Sequence, residues 1–203
     1  MHLSKNNFYM IFLTCIFIII TTQNFASAQN KSKDLIQAEK LMDELNNAEP
    51  TKKGQTQREA VLEASRLEAE KMMTKSNTND EKFDTAINIF RGFYLINAVS
   101  RPKYCQKNDV NINKFTELFK NKYKNEFTVM SEYEKKHKHS EKTTKELLQL
   151  LDKQVATEIE MTVNQYNLTS KVFCKDFQNN AKLYVEQIDL KNRFPEAFYL
   201  LNK

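Results

Sequence analysis

Two glycines, Gly54 and Gly92, are all the chain contains in 203 residues, beside three prolines and no tryptophan. Glycine supplies the left-handed backbone of tight turns and lets a main chain approach a ligand closely. Two glycines 38 residues apart cannot supply G-x-x-x-x-G-K-[ST], and G-x-G-x-x-G needs a third, which excludes the common phosphate-cradling loops. A sandwich or barrel of strands needs a turn every ~8–12 residues, and the same shortage argues against one. The remaining architecture is a set of helices joined by few connections.

The first 28 residues read as an address. Lys5 precedes an apolar run from Phe8 to Ile20, and a polar stretch then leads to Ala26-Ser27-Ala28. A positive flank, 13 apolar residues and an A-x-A site predict a secretory signal peptide cleaved between Ala28 and Gln29. The run would rise about 20 Å as a helix against roughly 30 Å of hydrocarbon, so no stable membrane span is expected after cleavage. Cys15 lies within the run instead of ending it behind a small residue, unlike a lipid-modified cysteine. Without residues 1–28 the chain carries 30 basic and 26 acidic residues and two cysteines, Cys105 and Cys174. An even pair in an oxidising compartment predicts one disulfide. Closing a loop of about 70 residues is worth about 4 kcal/mol at most in the chain-entropy account. The expected location is exported, periplasmic or secreted.

Apolar spacing predicts an all-α fold. Capping boxes, in which a Ser/Thr hydroxyl takes the N3 amide and a Glu returns to the cap amide, mark three starts: Thr56–Glu59, Thr78–Glu81 and Thr143–Glu146. Helices are predicted over 33–48, over 57–75 (poor in large apolar residues, with Leu67 and the Met72-Met73 pair), and over 80–100. The third is apolar around most of its circumference and is expected at the centre, ended by Pro102. A loop over 101–111 is expected to carry Tyr104 and Cys105. Steps of three and four predict a fourth helix over 112–138, with Phe115, Phe119, Tyr123, Phe127 and Met130 as its stripe. A fifth follows over 144–166 and a sixth over 170–189. A short last helix opens at Pro195, which suits a first helical position. The expected organisation is a signal peptide (1–28), a peripheral helical hairpin (29–78) and a bundle core (79–203). About four helices form that antiparallel core, pinned by Cys105–Cys174.

Residues able to carry chemistry are sparse. His137 and His139 stand i,i+2 among lysines. On a helix they diverge, and the flanking cations repel a metal ion. His137 is expected to face the carbonyls at its own helix end. No G-x-S-x-G occurs, and the disulfide consumes both thiols. Glu158 and Glu160 diverge and are expected in water. No catalytic residue, metal or cofactor is expected, and a carboxylate-based hydrolase in a helical fold is the outsider reading.

Between Arg101 and Lys145 lie 12 Lys/Arg against 6 Asp/Glu. This face is expected to be solvated, with i,i+4 pairs such as Glu132–Lys136 and Glu134–Lys138 and at most weak contact with anionic surfaces. Nucleic acid is not expected as a partner of an exported chain. Gly92, inside the most apolar helix, costs about 1 kcal/mol against alanine and implies a close approach to the backbone. Arg91, Gly92, Arg101 and Tyr104 are therefore the candidate contacts for a partner or ligand. The function predicted is that of an exported helical protein acting by binding, with a protein of the envelope or host as partner. The alternative is a eukaryotic secreted protein that binds a receptor or small apolar ligand, with the Asn167 sequon glycosylated.

Overall fold

The structure, a computed structural model, describes residues 38–137 and 141–203; of Arg58 and 141–143 it describes the backbone alone. The signal segment with its Ala28–Gln29 junction, the start of the first helix, Lys138 and His139 lie outside the described residues. Every regular element described is a helix.

Helix α1 covers 38–46 and α2 covers Gln57–Lys75. The capping box at Thr56 forms as predicted, with the Glu59 amide donating to Thr56 Oγ1 and the Thr56 amide to the Glu59 carboxylate. The link between the two uses Gly54 at φ +81°, a left-handed position. Helix α2 buries a narrow stripe at steps of four: Val61, Ser65, Ala69 and Met73. Small residues let the helix sit close, and the Ser65 hydroxyl is satisfied by donating to Val61 O at 2.8 Å. Leu67, one of the few large apolar residues of this helix, lies off that stripe and is half exposed.

Helix α3 (Asn79–Leu95) starts at the predicted Thr78–Glu81 box and buries Ile87, Ile89, Phe90, Gly92 and Phe93. It does not stop at Pro102. One π-helical turn, Ile96–Ser100, leads straight into α4 (Arg101–Lys107), and Pro102 falls in the first turn of α4. The Arg101 amide reaches back five residues to Ile96 O. The wider π turn accommodates a ring that would clash with the carbonyl four residues earlier in a regular helix. The predicted loop over 101–111 is therefore mostly helix. It closes with the Val110 amide on Cys105 O and Asp109 at φ 57°.

Two predicted helices are each divided. The stretch 112–138 becomes α5 (Asn113–Lys122) and α6 (Lys124–His137), and 170–189 becomes α8 (Ser170–Asn179) and α9 (Ala181–Gln187). The break residues share one geometry, φ −108°, ψ 26° at Tyr123 and φ −108°, ψ 28° at Asn180. At the first break the cause is a long-range anchor. The buried Tyr123 hydroxyl donates to Ile188 O at 2.9 Å and accepts from the Leu190 amide at 3.0 Å. Lys122 adds Val185 O at 2.8 Å and Asp189 at 3.0 Å. At the second, the Asn180 side chain donates to Asp176 at 2.8 Å, and the Tyr184 hydroxyl donates to the same carboxylate.

Helix α7 (Glu141–Gln165) is already helical at Glu141, so Thr143 lies inside it and not at its cap. It buries two faces. Leu147, Leu151, Val155, Ile159 and Val163 join the main core, while Leu150 packs on Ala38 and Met42 of α1. Gln154 and Asn46 exchange side-chain hydrogen bonds at 3.1 and 3.2 Å across that contact. The chain ends with α10 (Leu190–Arg193) and α11 (Pro195–Leu201), the latter opening at proline as predicted and lying along α3. Leu190, Phe194, Ala197 and Leu201 are all buried, so the C-terminus is part of the core. The aromatic stripes meet one another: Phe93–Tyr123 and Phe119–Tyr123 at 4.9 Å, and Phe115–Phe177 at 4.7 Å between ring centres.

Cys105 and Cys174 form the predicted disulfide, joining α4 to α8 with Cα atoms 5.4 Å apart. Replacing both by serine is expected to lower stability by up to about 4 kcal/mol, measured as the loss in urea-unfolding free energy against the oxidised protein. A second test concerns Asp189. Burial raises its pKa, but the hydrogen bonds from the Asn192 amide and Lys122 outweigh this, so the carboxyl is held below its ordinary value. A depressed acid stabilises the fold above its unfolded pKa and loses that contribution as pH falls through its folded pKa. Asp189→Asn is therefore less stable than the parent at pH 7, and the gap closes as pH falls below about 4, followed by thermal unfolding across pH.

Candidate functional site

The four residues singled out in the sequence separate into two environments. Arg101 is in the interior. Its side chain is 1% exposed, and its Nη2 donates to both carboxylate oxygens of Glu158 at 3.0 and 2.9 Å. Asn97 of the π turn accepts from Nη1, and the Phe177 ring centre lies 5.3 Å from the guanidinium carbon. The Asn97 amide in turn donates to Phe93 O at 2.8 Å, and Thr162 donates to Glu158 O at 2.9 Å. Glu158, expected in water, is buried because α7 brings it opposite the first turn of α4, whereas Glu160 is exposed as expected. Charge pairing of this kind holds elements together and leaves no face for a partner. Tyr104 is half buried beside the disulfide, its hydroxyl 2.9 Å from Ser170 Oγ.

Arg91 lies elsewhere, three turns of helix earlier, in a surface groove of about 530 Å³ between α3, α6 and the start of α7. Tyr94 and Phe127 stack at 4.6 Å along it, Met130 is buried, and Lys135 and Thr144 stand exposed. Arg91 Nε donates to Glu134 at 2.6 Å and Nη1 to Asn88 at 2.8 Å. Burial pushes the Tyr94 phenol above its ordinary pKa. Gly92, next to Arg91, is buried in α3, and its carbonyl accepts from the Ile96 amide at the entry to the π turn. Phe127 was expected inside with the rest of its stripe but is 38% exposed. The helix break at Tyr123 rotates the pattern after it, and no local signal marks that rotation.

Next to the groove, His137 behaves as predicted. Its Nδ1 lies 2.9 Å from Tyr133 O, and its ring stacks on Tyr133 at 3.9 Å. Tyr133 itself donates to Asp84 at 2.6 Å, and burial followed by that carboxylate holds its phenol far above the ordinary range. The basic stretch 101–145 is less uniform than its composition. Arg101, Lys103 and Lys122 are met by Glu158, Asp152 and Asp189 from outside the stretch, and Glu134 pairs with Arg91; its expected partner Lys138 lies outside the described residues.

Compared with known proteins, the chain matches no family model, no curated protein and no solved structure. No described helix is long and apolar enough to cross a membrane.

The Arg101–Glu158 pair gives a direct test. Glu158→Ala strands a buried guanidinium and is expected to cost about 3–5 kcal/mol, whereas Arg101→Met with Glu158→Leu comes close to neutral. Urea unfolding of the three proteins distinguishes a charge-pair penalty from a simple loss of packing.

Proposed function

We propose that this is an exported helical protein that works by binding, and that the Tyr94–Phe127 groove takes a segment of a partner protein of the envelope or host. The observation that carries the reading is Phe127, a large apolar ring left at the surface against a second aromatic. Arg91–Glu134 and Lys135 stand beside it. An aromatic anchor edged by charge is the usual composition of a binding hot spot. A partner segment with one apolar side chain for the Tyr94–Phe127 wall and a carboxylate for Lys135 fits this chemistry. The reading assigns no bond-making step to any residue.

Export is supported by the Lys5, Phe8–Ile20 and Ala26-Ser27-Ala28 pattern and by a disulfide of the kind oxidising compartments retain. One observation favours the second reading, a glycosylated eukaryotic secreted protein. Asn167 is exposed and stands at φ 51° in the turn between α7 and α8, where a glycan would have room.

A photo-crosslinking residue at position 127 of the full chain, expressed in its own cells, is expected to give one dominant protein adduct. The same residue at position 67, also exposed, serves as the control. Lys135→Glu reduces the adduct at 127. Equal adducts at both positions, or none at 127, would overturn the groove as the contact. The processed protein from the same preparation is expected to begin at Gln29, and a chain still beginning at Met1 would remove the basis for export.

A further inference from the structure

The disulfide and the buried charge pair lie at one helix contact. On α4, Arg101 and Cys105 are four residues apart and share a face; on α8, Cys174 and Phe177 are three apart and do the same. Two bridges therefore run side by side between these helices. One is the bond from Cys105 to Cys174, and the other is the Phe177 ring, centred 5.3 Å from the Arg101 guanidinium carbon. Phe177 and both cysteines are 0% exposed, and Glu158, which meets Arg101 from α7, is 5% exposed. Helix α8 is thus a lid over an ion pair, and the disulfide is tied within one turn of the residue that seals it.

The two features act in opposite directions. Ions taken out of water regain hydration when the lid opens, so the pair favours opening more than apolar side chains of similar size would. Helix α8, ten residues long, is too short to hold its place without tertiary contacts. The tether opposes opening, because a cross-link between residues 69 apart removes much of the freedom that α8 would gain on leaving.

We infer that Cys105–Cys174 is a redox latch: oxidation of the two thiols closes α8 over Arg101–Glu158, and without the bond α8 lifts and lets water reach the pair. The latch closes by exchange with an acceptor disulfide. One cysteine thiolate attacks an acceptor sulfur, forms a mixed disulfide and releases the other acceptor sulfur as a thiolate. The second cysteine thiolate attacks the protein sulfur of that mixed bond and releases the remaining acceptor thiolate. In all, two protein thiols give up two electrons and two protons, and one acceptor disulfide becomes two thiols. With α8 seated neither sulfur is reachable, so the closed form resists reduction until the lid opens. The chain stays pliable where thiols are kept reduced and sets where disulfides form. The latch is independent of the groove at Phe127.

The test compares the full chain in oxidised form with the same chain held reduced, by hydrogen exchange read peptide by peptide. Reduction is expected to speed exchange of the α8 amides by at least about tenfold, with a ceiling of about a thousandfold for a loop of this length. The α3 amides should change less. In Arg101→Met with Glu158→Leu, opening wets two apolar side chains instead of hydrating two ions. The reduced-to-oxidised ratio for α8 should therefore shrink about tenfold. Chain entropy by itself gives the same ratio with and without the pair, and that result would overturn the latch. Equal α8 exchange in both redox states, or equal acceleration of α3 and α8, would overturn it too. If the double variant does not fold, the unsubstituted protein decides: exchange of the Arg101 Nε–H with water must rise on reduction together with the α8 amides, and an unchanged rate overturns the proposal. Millimolar reduced glutathione should leave the oxidised protein intact without urea and cleave the bond in unfolding urea. Equal cleavage in both would show that α8 seals nothing.

Discussion

The guanidinium of Arg101 sits where three elements of the core meet, and their arrangement follows from the need to satisfy it. Glu158 arrives on α7 with both oxygens, Asn97 arrives on the π turn, and Phe177 of α8 covers one side. A charge removed from water this completely tolerates few alternatives, because a shift of α7 by one residue would turn Glu158 away and leave both ions unpaired. The disulfide from Cys105, one turn further along α4, holds α8 in the same place. The π turn has a role here too: it carries Asn97 and lets the helix pass Pro102, so that Arg101 can open α4 pointing inward.

Around this centre the aromatic residues form a continuous set of ring contacts, and the two helix breaks allow it. An unbroken helix over 112–138 would carry its stripe along one line. The break at Tyr123 lets α5 face Phe93 and Phe177 while α6 runs against α3 further on. The hydroxyl of Tyr123 is doubly hydrogen-bonded to the main chain at 188 and 190, so the same residue fixes the path of the C-terminal segment. Phe127 at the surface follows from this, lying one turn past the break.

Much of the fold was legible in the residues. Two capping boxes placed the starts of α2 and α3, Pro195 placed α11, and parity of cysteines placed the disulfide. These are signals carried by residues within a few positions of each other or by counting. Thr143–Glu146 had the same letters and failed, since α7 was already helical before Thr143 and the box needs a non-helical cap residue. Of the candidate site, Arg91 proved to border a groove, while Arg101 proved to be interior. A single arginine beside a proline reads the same in either place.

Sequence alone determined the helical class, most helix starts and the covalent link, because each depends on local hydrogen bonding, on a 3.6-residue period, or on the number of thiols. Tertiary structure alone decided where two long helices break, how the chain passes Pro102, which carboxylate meets Arg101, and which large side chains stay outside. Those outcomes depend on groups 40 to 70 residues apart arriving at one point, such as Arg91 and Glu134 at a separation of 43 and Tyr123 and Leu190 at 67. No periodicity or cap within a single helix encodes that meeting.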